Sequence, residues 1–352
     1  MRLSRLSLVL MVSAALPLAA CGPQTPKSSA PGETAASTTT PGVFTRAQIE
    51  AAVPAAAQPA NPPAASATAP ADTPPDAGLL RVQILLDRAG FSPGEIDGLA
   101  GENTRLAIAE YRKARKTGSG DAADASILQA LTAADTAPVT AEYQLTQADV
   151  SGPFSPPPGT DLAAQAQAGT HYSTARERLA ERFHISEALL QALNPGVNFI
   201  TVGATLLVPA LRQTPLPEVA RIEVDKTDRA VRAFDASGAL IAYYPATIGS
   251  DDNPTPSGDL RVVGVAPQAD YLYDPSRLSF GKGKEKVTVP AGPNNPVGGI
   301  WIDLSRPTYG IHGTPDPSKV GKTASHGCVR LTNWDARQLA AAVKPGVAVR
   351  FI

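Results

Sequence analysis

Charge of one sign is missing from this chain: 31 Lys and Arg against 32 Asp and Glu leave a formal net charge of −1. That balance removes any electrostatic case for nucleic acid as a partner. After the first twenty residues no stretch has the unbroken apolar run of a membrane-spanning helix. Large apolar residues are also scarce from Gly22 to Gly78, where Pro, Ala, Thr and Ser dominate apart from Val43-Phe44 and Ile49. Such a composition cannot offset chain entropy by burial, so a disordered tether over residues 21–78 is expected. As a coil it would span about 40 Å. Cysteine is the scarcest reactive residue, with only Cys21 and Cys328 in 352 residues.

The two cysteines have different surroundings. Met1-Arg2-Leu3-Ser4-Arg5 is a basic start, Leu6 to Leu16 an apolar core too short to cross a bilayer, and Leu18-Ala19-Ala20-Cys21 follows. This resembles the leader and lipobox of bacterial lipoproteins, which implies a signal peptide over residues 1–20, cleavage before Cys21 and acylation of its sulfur. Several acyl chains together anchor firmly. Gly22 is not an inner-membrane retention aspartate, so a periplasmic protein anchored to the outer membrane is expected; cleavage after Ala20 by an ordinary signal peptidase is the alternative. With Cys21 lipidated, Cys328 has no disulfide partner in the chain, an unusual state in an oxidising compartment unless the thiol is needed.

Around Cys328 lie two of the four histidines. Tyr309-Gly310-Ile311-His312-Gly313-Thr314 precedes Ser325-His326-Gly327-Cys328-Val329-Arg330. A thiol becomes a good nucleophile when a base takes its proton or cations lower its pKa, and His312 and His326 are the available bases. Gly327 lets the backbone pass close to the sulfur, and the amides of Gly327 and Cys328 are candidates for an oxyanion hole. A buried inert cysteine and a zinc site made by His312, His326 and Cys328 are the alternatives; no fourth ligand stands at finger-like spacing.

These motifs resemble the signature of the YkuD-type L,D-transpeptidases over roughly Val219 to Ile352, together with Thr255-Pro256-Ser257-Gly258 and Gly292-Pro293-Asn294-Asn295-Pro296-Val297-Gly298. The resemblance implies that Cys328 attacks the third residue of a peptidoglycan tetrapeptide stem, expels D-alanine and passes the acyl group to an amine, giving a 3→3 cross-link or a link to a lysine of an outer-membrane protein. No metal or organic cofactor is implied. His312 matches the general base and the Gly313 carbonyl the group that fixes its tautomer; Ser325, His326 and Gly327 match the turn and oxyanion positions, and Arg330 a substrate-carboxylate contact. A hydrolase on the same frame and an idle wall-binding tether remain the alternatives. The implied fold over residues 217–352 is a mainly β sandwich or barrel-like domain. Alternation at Arg221–Asp225, the run Leu240–Tyr244 and alternation at Val347–Phe351 agree with it. Asn333 is expected to cap a helix carrying Trp334, Leu339 and Val343, stopped by Pro345-Gly346. Lys282-Gly283-Lys284-Glu285-Lys286 is a candidate lid.

Two smaller modules are expected upstream. Over residues 79–133, Leu79, Val82, Leu85, Leu86 and Ala89 recur at helical spacing, Thr104 stands as a cap for Ala107, Ile108 and Tyr111, and Ile127, Leu128 and Leu131 form a third stripe. With Gln83, Gly90-Phe91 and Ile96-Asp97-Gly98, this three-helix pattern resembles the type 1 peptidoglycan-binding domain. In residues 134–216, helices over 175–184 and 185–195 and the segment Thr201–Pro209 resemble the back half of a LysM module, lacking its Gly-Asp-Thr opening. His171 and His184 read as ordinary surface or helix-face residues.

Overall fold

Ile49 is the first core side chain among the described residues, and it lies inside the expected tether. The computed structural model describes residues 43–55, 73–212, 214–277 and 284–352. The leader, Cys21 and the rest of the tether lie outside them, as do Lys282 and Gly283 of the candidate lid. Helix α1 (Arg46–Ala51) opens on a capping box between Thr45 and Gln48. Its Glu50 carboxylate accepts hydrogen bonds from the backbone N–H groups of Val139 and Thr140 and from the Thr140 hydroxyl. The expectation of a structureless 21–78 fails here, because one apolar side chain and one capped turn suffice when a neighbouring core receives them.

Helices α2 (Ala77–Arg88), α3 (Glu102–Arg115) and α4 (Ala125–Ala134) bury the stripes expected of them. Thr104 does not cap α3; Gly101 does, and Thr104 is buried, accepting a hydrogen bond from the Gln83 amide at 3.2 Å. Next come β1 (Thr140–Gln144), α5 (Gln147–Val150), α6 (Leu162–Ala168), α7 (Ala175–Arg182), α8 (Glu187–Leu193) and β2 (Thr205–Pro209). Strand β1 pairs antiparallel with β2 around α7 and α8. The long insert carrying α5 and α6 separates β1 from α7, which is why the opening strand escaped a reading tuned to compact spacing. Apart from α5 and α6, these elements share one hydrophobic core, from Ile49 through Leu86, Phe91 and Tyr111 to Leu190 and Val208.

The rest of the chain adds β3 (Arg221–Asp225), β4 (Ala230–Phe234), β5 (Leu240–Pro245), β6 (Ile248–Gly249), β7 (Gly258–Ala266), β8 (Tyr271–Tyr273), β9 (Val287–Val289), β10 (Trp301–Leu304), β11 (Gly310–His312), β12 (Ala324–Ser325), β13 (Val329–Arg330), α9 (Asn333–Ala342) and β14 (Ala348–Phe351). Eight strands form one sheet in the order β13-β11-β10-β7-β14-β3-β4-β5. Just past edge strand β5, Thr247 exchanges backbone hydrogen bonds with Arg330 on the opposite edge strand, at 2.9 and 2.8 Å. The sheet therefore curls until its two edges meet, as the barrel-like expectation requires. Its core contains Ile222, Val224, Ile302, Ile311, Val329 and Leu339 of α9.

Edge strand β5 is covered by the helical region: Tyr243 donates to the Gly90 carbonyl and accepts from Ser92 N–H, so its backbone groups are paired rather than open. Arg232 of β4, itself buried, bonds Glu110 of α3 and Asp225 at 2.8 Å each. A second polar cluster lies where α9 meets the helices. His184 stacks on Trp334 at 5.1 Å and its Nδ1 lies 3.0 Å from Asp87, so it is an interface residue rather than the ordinary one expected. Asp335 accepts from the Ser92 hydroxyl.

Burial, with Asp87 adding to it, pushes the Asp335 carboxyl up to about 7. Burial works against the His184 cation, but the charge and hydrogen bond of Asp87 carry that ring above its ordinary value. Both groups thus hold protons more tightly when folded, and the stability they contribute at acid pH is lost as pH rises through their native values. His312, described below, titrates in the opposite sense, so the test is a difference. The melting temperature of Asp335→Asn relative to wild type is expected to improve steadily from about pH 5 to about pH 8. A difference that stays flat or declines over that range contradicts the assignment.

Candidate active site

Strands β11 and β13 run parallel, with Ile311 beside Val329 and His312 beside Arg330. Because side chains alternate along a strand, Ile311 and Val329 enter the core while Gly310, His312, Cys328 and Arg330 share the other face. The sheet register thus brings together residues that sequence places sixteen apart.

The turn into the nucleophile is held by Ser325, whose hydroxyl donates to the Cys328 carbonyl at 2.6 Å and accepts from Gly327 N–H at 3.1 Å. Gly327 has φ +116°, a conformation open to glycine but not to other residues. Its carbonyl accepts from the Thr255 hydroxyl at 3.0 Å. The Gly327 amide is therefore already engaged within the turn, which corrects its expected place in an oxyanion hole: its single hydrogen belongs to Ser325.

His312 is 4% exposed. Its Nδ1 lies 2.7 Å from the Gly313 carbonyl oxygen, which can only accept, so Nδ1 carries the proton and Nε2 the lone pair. The ring stacks on Trp301 of the adjoining strand at 5.4 Å and 17°. Burial, helped by the Arg330 charge, pushes its pKa down to about 3 against the pull of the Gly313 bond. Cys328 is half-buried and its sulfur donates to the Thr308 carbonyl at 3.5 Å. Thr308 holds a positive φ of 70°, rare for a β-branched residue. Burial raises the Cys328 pKa, while the Gly310 N–H and the Arg330 charge work to lower it. The resting pair is a neutral thiol and a neutral imidazole, with a cation and an N–H donor poised for the thiolate.

Arg330 has no carboxylate partner among the described residues, and its Nε is buried without a hydrogen bond. It is free to meet an anionic group of a ligand. His326 is exposed in the turn; the small part of its ring that the protein covers and the Arg330 charge lower its pKa.

These side chains line a cleft of about 1650 Å³. One wall is the β8–β9 hairpin, whose Tyr271 is raised in pKa by burial and by the nearby Cys328. Lys284 and Glu285 of the candidate lid line the cleft too, and Lys286 pairs with Asp274 across the hairpin at 2.7 Å. Residues 158–163 and Gln165, from the insert before α7, add a further wall. Gln165 donates to the Asn294 carbonyl at 2.6 Å, anchoring α6 beside the site. Sequence reasoning named Gly310 and Thr255 only as parts of motif segments and missed Trp301, Tyr271 and this insert as site elements; partners distant in the chain bring them to the cleft.

Residues 219–350 match the model of the YkuD family, the L,D-transpeptidase catalytic domain. The chain is 32% identical over 176 residues to the YkuD protein of Bacillus licheniformis, a candidate L,D-transpeptidase, covering 49% of this chain and 90% of that one. It is 28% identical over 172 residues to YkuD of Bacillus subtilis, covering 49% and 89%. A solved L,D-transpeptidase from Mycobacterium smegmatis is similar over 43% of this chain and 64% of its own, at 18% identity and a TM-score of 0.32. With a family match across the whole curled sheet and a relative spanned over nine-tenths of its length, the chain belongs to the YkuD family of L,D-transpeptidases.

Proposed function

We propose that this enzyme acts on peptidoglycan through an acyl-enzyme on Cys328. The Cys328 sulfur attacks the carbonyl of the third residue of a tetrapeptide stem as Nε2 of His312 takes the thiol proton. The tetrahedral oxyanion collapses, the bond to the terminal D-alanine breaks, and the proton passes from His312 to the departing amine. A thioester remains. An acceptor amine then attacks it, a new amide forms, and the thiol is restored. The acceptor is a stem amine, giving a 3→3 cross-link, or a protein lysine.

The single observation that carries this reading is the 2.7 Å contact between Nδ1 of His312 and the Gly313 carbonyl. It fixes the tautomer whose lone pair lies on Nε2, in a ring that shares the cleft face with Cys328. Arg330, without a carboxylate partner among the described residues, supplies a cation for a stem carboxylate. Ser325 and Thr255 shape the turn, and His326 stands at its mouth. Within the same proposal, Cys21 carries a lipid anchor to the outer membrane and the upstream modules hold the wall.

Purified protein incubated with tetrapeptide-rich peptidoglycan is expected to yield cross-linked muropeptides that have lost one D-alanine per donor stem, read by mass spectrometry. Tripeptide stems alone would mark the hydrolase instead, and an unchanged profile would refute acyl transfer.

A further inference from the structure

Asn333 begins α9 but does not cap it: the Thr332 hydroxyl accepts from Asp335 N–H and fills that role. The Asn333 side chain, in a residue 1% exposed, goes elsewhere. Its Nδ2 donates to Glu181 Oε2 at 2.8 Å and to the Pro293 carbonyl at 3.1 Å. Its Oδ1 accepts from Thr314 N–H at 2.9 Å. That N–H and the Gly313 carbonyl are the two ends of one planar peptide unit. The unit is therefore gripped on one side by Asn333 and on the other by Nδ1 of His312.

The amide cannot turn round. A flip would set its oxygen against a carboxylate and a carbonyl, and its N–H groups against another N–H. Two glycines make room for it: a Cβ at Gly313 would stand 2.2 Å from Asn333 Oδ1, and one at Gly298 1.7 Å. Glu181 is itself held, accepting from the Tyr172 hydroxyl at 2.8 Å and from Arg337 at 2.9 Å. It lies on α7, outside residues 219–350.

We propose that Asn333 and Glu181 are positioning residues for the base: the Glu181 carboxylate acts on the His312 ring through two aligned amides, the Asn333 side chain and the Gly313–Thr314 peptide. Each hydrogen bond in such a chain polarises the next, so the Gly313 oxygen is a stronger acceptor for Nδ1. The upstream helices thus complete the catalytic apparatus with the carboxylate that no residue of the family-matched segment supplies to this chain of bonds. The inference rests on His312 being the base.

The test uses the full chain and the acylation rate of Cys328 by a chromogenic lactam across pH. Asn333→Asp sets two carboxylates together and is expected to slow acylation about 10- to 10²-fold, with recovery at high pH as for His312→Ala. Adding Glu181→Gln, whose amide can donate to the new carboxylate, is expected to restore part of the rate. Glu181→Gln alone, remote from the loop, is expected to cost about fivefold. It decides the matter should the Asn333 variants fail to fold. A purely structural role would lower the melting temperature and the fraction of acylatable protein without moving the pH profile. Wild-type rates and profiles in these variants, beside a slowed His312→Ala, overturn the positioning role alone. No acylation of Cys328 in wild type overturns the function itself.

Discussion

Cys328→Ala is expected to abolish covalent acylation while leaving the melting temperature close to that of wild type. The sulfur is half-buried at the cleft, with one long contact to the Thr308 carbonyl and the Gly310 N–H against it. Neighbouring Val329, by contrast, is a core residue. Loss of the sulfur therefore removes chemistry and little packing. Intact-protein mass spectrometry after exposure to a carbapenem is expected to show one adduct on wild type and none on the variant. An adduct of equal mass on Cys328→Ala would move the nucleophile elsewhere.

His312→Ala is expected to slow acylation by about 10²–10⁴-fold, with the rate climbing at high pH as thiolate forms without a base. Burial holds the thiol pKa above its ordinary value, so the climb belongs on the alkaline side. Because the folded His312 titrates at about 3, wild-type activity is expected to hold through mildly acid pH instead of falling near 6.5. His326→Ala is expected to cost less, since that ring is exposed and acts on the turn. Normal acylation by His312→Ala, with a pH-rescued defect in His326→Ala, would reverse the two roles.

Much of this was legible in the sequence where periodicity and side-chain chemistry act locally. The alternation in Arg221–Asp225 and Ala348–Phe351 marks strands whose inward residues are Ile222, Val224, Val349 and Phe351. The stripes of α2 and α4 mark their buried faces. His312, Cys328 and Arg330 stood in motif order, and the strand pairing puts them on one face. What failed depended on partners distant in the chain. Thr104 and Asn333 have the composition of caps, yet Gln83 and Glu181 draw their side chains away. Strands β11 and β13 have three and two residues, too short to show a period, and pairing alone defines them. Helix α1 exists because Val139 and Thr140 receive Glu50, a contact across about ninety residues that no local window contains.

The proposed chemistry passes through a thioester between Cys328 and the third residue of a stem. Wild-type protein mixed with a tetrapeptide stem donor and quenched in acid is expected to show, by intact mass and peptide mapping, a tripeptide-acyl gain on the Cys328 peptide with D-alanine released in equal amount. Release of D-alanine with no adduct on Cys328, or an adduct mapping to another residue, would contradict it.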